Sequence, residues 1–78
     1  MKQLKQKIEM KHWNEIGEKV KAHRKAQGLT QRELGKKMGA SNRFISDFER
    51  GRKPCSINRL ADIIAALDCD FKILMERK

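Results

Sequence analysis

The stretch Thr30 to Gly51, TQRELGKKMGASNRFISDFERG, carries the strongest local instructions in the chain. Thr30 and Glu33 have the T-x-x-E spacing of a capping box just after the apolar Leu29, so side chain and backbone can satisfy each other at a helix start. Leu34 and Met38 then fall i, i+4 on one side, with Gln31, Arg32, Lys36 and Lys37 on the other, which predicts a short amphipathic helix. Gly39 ends it as a left-handed turn residue. Ser41 is placed to cap a second helix with Phe44, Ile45 and Phe48 inward and Asn42, Arg43, Ser46, Asp47 and Arg50 outward. Gly35 costs roughly 1 kcal/mol against Ala in a helix interior, so close packing is expected against it.

Outward from this unit, further short helices fit between glycine and proline punctuation. Asn14 is expected to cap a helix reaching Gln27, with Ile16 and Val20 inward, His23 and Ala26 continuing that face weakly, and Gly28 as the stop. Trp13 reads as a packing lid or an interface residue. After the basic loop GRKPC, Ser56 caps a helix whose stripe is Ile57, Leu60, Ala61, Ile64 and Leu67, with Ile63 off that stripe. From Cys69 the period changes to two: Cys69, Phe71, Ile73 and Met75 alternate with Asp70, Lys72, Leu74 and Glu76, which predicts a single strand. A lone strand needs a partner for its edges, so it is expected to pair with its copy across a twofold axis. Ile63, Phe71, Ile73 and Met75 then form the dimer interface. The chain divides into a basic arm (1–13), a helical domain (14–67) and a dimerising strand with its tail (68–78).

Seventy-eight residues suffice for one domain. With 38% hydrophobic, 5% aromatic and 37% charged residues, its core must be thin and mostly aliphatic. Nineteen Lys and Arg against ten Asp and Glu give a net charge of +9, most of it in the first half, and the pI is near 10.0. That excess points to a polyanion as partner. No apolar run approaches a membrane span, and the start, MKQLKQKIEMKHW, is too charged for a signal peptide; a cytoplasmic, nucleoid-associated protein with no membrane role is expected. Cys55 and Cys69 lie 14 apart without a CxxC pair, and His12 and His23 are 11 apart, so no metal site or other cofactor is spelled out. No P-loop and no nucleophile beside a base appears, so an enzyme is not expected.

A capped helix, a glycine turn and a second helix with one polar face make a helix-turn-helix, an arrangement that lets the second helix enter a DNA major groove. Residues 14–67 resemble the lambda-repressor-like domains of the phage repressor, Cro and Xre class. The resemblance rests on I-G-x-x-V (Ile16 to Val20), G-L-T-Q (Gly28 to Gln31), E-L-G, M-G-A, I-S-x-F-E-R-G (Ile45 to Gly51) and R-K-P. It implies an all-α bundle of four to five helices, here with a short C-terminal β-strand. The ending A-A-L-D followed by C-D-F-K-I-L-M is similar to HipB-type antitoxins, which repress their own operons and bind a HipA-like Ser/Thr kinase toxin. The implied function is a homodimeric, autoregulating repressor on an inverted-repeat operator in double-stranded DNA, with that kinase as second partner. A solitary Xre-type regulator or restriction-modification controller, and an interaction adaptor without DNA binding, are the alternatives.

Within that frame Asn42, Arg43 and Ser46 are the expected base readers, since Asn can pair with adenine and Arg with guanine. Asp47 shares their face, but its charge opposes the phosphates. Gln31, Arg32, Ser41, Arg50, Arg52 and Lys53 are the expected backbone contacts, which position more than they specify; Lys36 is a weaker one. His23 occupies a position that is usually aliphatic in this class and is read as a partly buried, hydrogen-bonded histidine.

Overall fold

The computed structural model describes residues 10–52 and 55–76. Among the described residues five helices follow one another: α1 (Met10–Ala26), α2 (Gln31–Met38), α3 (Asn42–Glu49), α4 (Ile57–Ala66) and α5 (Phe71–Glu76). The capping box forms as its spacing dictates: Thr30 Oγ1 accepts from the Glu33 amide at 3.0 Å, and the Glu33 carboxylate accepts from the Thr30 amide at 2.8 Å. Ser41 Oγ caps α3 by accepting from the Phe44 amide at 3.0 Å, and Ser56 Oγ caps α4 by accepting from the Arg59 amide at 3.1 Å. Gly39 adopts φ 69° and turns the chain from α2 into α3. A methyl group at Gly35 would lie 2.6 Å from the Ala40 carbonyl oxygen, so the neighbour expected there is that turn.

The core gathers Trp13, Ile16 and Val20 from α1, Leu34 from α2, Ile45 and Phe48 from α3, Leu60 and Ile63 from α4, Leu67 just beyond it, and Leu74 from α5. Trp13 meets the Phe48 ring edge-on at 5.8 Å between centroids, a favoured aromatic geometry. Phe44 stacks on Phe48 at 6.1 Å and lies under the Arg59 guanidinium at 5.2 Å. The aromatic column therefore joins α1 to α3 and tethers α3 to α4.

Several expectations are corrected. Helix α1 already includes Met10, so Asn14 lies inside it and is no cap; of the two expectations for Trp13 the packing one holds, since it is buried in the core. On α4 the buried stripe is Leu60, Ile63 and Leu67, while Ile57 and Ala61 are exposed. That helix carries two overlapping apolar sets, and packing against α2 selects the one containing Ile63. Ile63 is 0% exposed within a single chain, so it cannot also serve a dimer interface.

The C-terminal strand does not form either, and with it goes the strand-paired dimer of Phe71, Ile73 and Met75. Asp68 takes φ 61°, breaking the chain away from α4. Asp70 then starts α5, its Oδ1 accepting from the Ile73 amide and its carbonyl from the Leu74 amide, both at 2.9 Å. Leu74, which the alternation places on the polar side, is fully buried, whereas Phe71 and Ile73 are about half exposed and Met75 is partly buried. Six residues are too few for the two periodicities to separate, and docking of α5 onto α1 decides. The basic arm of residues 1–9 lies outside the described residues. No helix among the described residues is long and apolar enough to cross a membrane.

Candidate nucleic-acid interface

Helix α3 presents Asn42 and Arg43 exposed, followed one turn later by the partly buried Ser46 and Asp47 and then by the exposed Arg50. The i, i+3, i+4 and i+7 spacing puts these groups on one face, opposite the Ile45 and Phe48 side. The Arg43 side chain is 89% exposed and its Nε sits 3.7 Å from Asp47 Oδ2, a loose pairing of small energetic weight. Arg43 is thus free to exchange Asp47 for an external acceptor. Ser41 is exposed; its Oγ accepts the α3 capping bond, which leaves its O–H to donate. Arg32, Lys36 and Arg52 are exposed, and the Arg52 amide donates to the Asp47 carbonyl at 3.0 Å, holding the loop against α3. Lys53 lies outside the described residues.

Gln31 is more tightly held than its sequence position suggests. It is partly buried at the start of α2, and its Nε2 donates to Glu49 Oε1 at 3.1 Å. Glu49 in turn pairs with Arg24: Nε donates to Oε2 at 2.6 Å and Nη2 to Oε1 at 3.1 Å, with the Arg24 and Glu49 side chains 8% and 2% exposed. Arg24 Nη1 also donates to the Leu29 carbonyl at 2.7 Å. The cluster ties α1, the loop before α2, the first turn of α2 and the last turn of α3 to one another.

Arg24 has no place in the sequence reading, and Gly17 and Glu49 enter it only as letters of I-G-x-x-V and I-S-x-F-E-R-G, without a role. A methyl group at Gly17 would stand 2.5 Å from the Phe48 carbonyl oxygen and 2.8 Å from that of Glu49, so α1 crosses the end of α3 backbone to backbone. A signal for Glu49 does exist: with Ile45 and Phe48 it completes an i, i+3, i+4 inner face, and a carboxylate there requires a cation. His23 is buried at 8% exposure, and its Nε2 has no hydrogen-bond partner among the described residues, so the hydrogen bond expected of this histidine is not made at that nitrogen.

The remaining reactive groups are subdued. Burial pushes the Cys55 thiol up to about 11, against the opposing pull of the Arg59 guanidinium; burial and the nearby Asp70 and Asp68 also raise Cys69. Among the described residues no cluster of three His, Cys, Asp or Glu side chains could hold a metal ion. What the α3 face offers is amide, guanidinium and hydroxyl groups on a rigid helix, the chemistry of base-edge readout.

Comparison with known proteins gives the same picture. The helix-turn-helix family model matches residues 20–74. An uncharacterized HTH-type transcriptional regulator of Sinorhizobium fredii, y4mF, is 37% identical over 60 residues, covering 77% of this chain and 79% of its own. The clp gene regulator ClgR of Corynebacterium glutamicum superposes with a TM-score of 0.77 at 30% identity, with 81% of each chain covered. The restriction-modification controller protein C.Esp1396I, solved as a tetramer with its natural 35 base-pair operator, gives 0.75 at 25% identity over 82% of this chain and 84% of its own. A capped helix pair with an exposed polar second helix, matched over most of its length by regulators of this kind, places the chain in the Xre-type helix-turn-helix family of DNA-binding transcriptional regulators.

Proposed function

We propose that this chain is a homodimeric repressor that binds an inverted-repeat operator, its own promoter included, and acts by occupancy. The observation that carries the reading is the exposed face of α3, where Asn42, Arg43 and Ser46 stand on a helix locked from behind by Trp13 and Phe48. Asn42 and Arg43 read base edges, with Ser46 beside them. Gln31, Arg32, Ser41, Arg50, Arg52 and Lys53 hold the phosphates and set the register. Two recognition helices about 34 Å apart would enter successive major grooves.

Dimerisation is supported by the apolar side chains that a single chain leaves in water. Phe71 is 46% and Ile73 51% exposed on α5, and covering what remains of each yields about 1 kcal/mol. In this form the interface is a helical one, with Met75 at its edge and Ile63 excluded.

Between the two more specific roles, the restriction-modification controller reading draws support from the likeness to C.Esp1396I. The HipB-like antitoxin reading, with a HipA-like kinase as partner, rests on the residues of the C-terminal segment, whose expected strand is replaced by α5. DNase footprinting of the chain on the DNA upstream of its own reading frame tests the common core. Paired protections one helical turn apart support it, and uniform cleavage at saturating protein refutes it. Purification from the native locus then separates the roles by whether a kinase-like protein accompanies the chain.

A further inference from the structure

Glu49 is hydrogen-bonded beyond what its ion pair requires. Arg24 already engages both of its carboxylate oxygens and anchors itself on the Leu29 carbonyl. Glu49 Oε1 nonetheless accepts a further bond from Gln31 Nε2 at 3.1 Å. A carboxylate only accepts, so it is the nitrogen of the Gln31 carboxamide, and not its oxygen, that turns inward. The amide's second N–H and its carbonyl oxygen remain for an outside partner, at the first position of α2 and next to the last turn of α3.

We propose that Glu49 is a positioning residue for DNA binding: it fixes the Gln31 carboxamide, nitrogen inward, so that its remaining N–H is already aimed at a backbone phosphate before DNA arrives. This rests on the DNA-binding reading above. A free glutamine side chain is rich in rotamers, and immobilising it on binding costs affinity. Here the order is built into the unbound protein by a buried group that touches no DNA. The same bond links the phosphate contact at α2 to the end of the recognition helix, so a phosphate held by Gln31 also fixes where α3 sits in the groove.

The test combines a spectroscopic and a binding readout on the full chain. In the ¹⁵N spectrum of the free wild type, one Gln31 side-chain amide proton is expected to be shifted downfield and slowed in exchange, and to return to the ordinary glutamine position in Glu49→Gln. Binding is measured by fluorescence anisotropy on a random-sequence DNA duplex at low salt, with circular dichroism confirming that each variant is folded. Gln31→Ala and Glu49→Gln are each expected to weaken binding about three- to tenfold, and the double variant no more than Gln31→Ala alone. Losses that multiply in the double variant, or a Glu49→Gln chain that binds as wild type, overturn the proposal. So does an ordinary Gln31 signature in the wild type, a readout that holds even where Glu49→Gln fails to fold. A wild type that binds no duplex at all overturns the DNA-binding reading itself, whereas failure of the positioning role alone leaves wild-type binding intact.

Discussion

Arg24 and Glu49, separated by 25 positions in sequence, meet through a 2.6 Å bond from Nε to Oε2 in the interior of the domain. Their contact closes α1 over the end of α3 at the place where Gly17 lets the two backbones approach. A buried pair of this kind contributes little net stability relative to apolar residues, but either half left alone is costly. Glu49→Ala should therefore destabilise the fold by about 3–5 kcal/mol, and the double change Arg24→Met with Glu49→Leu by clearly less. Urea denaturation of the wild type and the two variants checks this; a double variant that loses more than Glu49→Ala, as independent losses would add, would show that the residues do not act as a pair.

The Gly17 crossing gives a second expectation. Ala at this position forces its methyl group onto the Phe48 and Glu49 carbonyls, and backbone cannot step aside as a flexible side chain can. A loss of about 1–3 kcal/mol is expected. Gly39→Ala meets no neighbour but must hold φ 69°, so it should cost only about 1 kcal/mol. Thermal melts of the two variants should rank them in that order.

Most of the fold is legible in the sequence where the instruction is local. The T-x-x-E box, Ser41, Ser56 and Gly39 each act within one turn of chain, and each forms as its spacing dictates. The miscast elements are those where a tertiary contact breaks a tie. Ile63 and Ile57 compete for the inner face of α4, and α2 decides for Ile63; Leu74 and Phe71 compete in the last segment, and α1 decides for Leu74. The exposed half of the candidate interface is readable because helical spacing alone puts Asn42, Arg43, Ser46 and Arg50 together. Its buried support is not, because Arg24 and Glu49 find each other only once α1 crosses α3.

The thiols provide a pH-dependent expectation. With Cys55 raised to about 11 by burial, the folded state keeps its proton between roughly pH 9 and 11, where an unfolded chain has begun to lose it. Whatever stability this contributes is full below pH 9 and declines as pH rises through 11. At pH 8 the thiolate is scarce, so iodoacetamide should alkylate native Cys55 far more slowly than the urea-unfolded chain. Equal rates in the two states would contradict the burial.

On DNA, Arg43→Ala should cost about 1–3 kcal/mol on the true operator and relax preference at one base pair per half-site. Arg52→Ala should weaken specific and random sequences alike, with a shallower salt dependence. Competition binding at fixed salt distinguishes them, and an equal loss on all sequences for Arg43→Ala would remove it from the base readers.

Whether α3 reads sequence is decided by selecting duplexes from a random pool with the native chain. Binding of the selected duplex is then compared with that of a scrambled duplex of the same composition at physiological salt. An inverted repeat with half-site centres about 34 Å apart is expected, bound about a thousandfold or more tighter than its scrambled counterpart. Equal affinity for the two duplexes would contradict readout by α3.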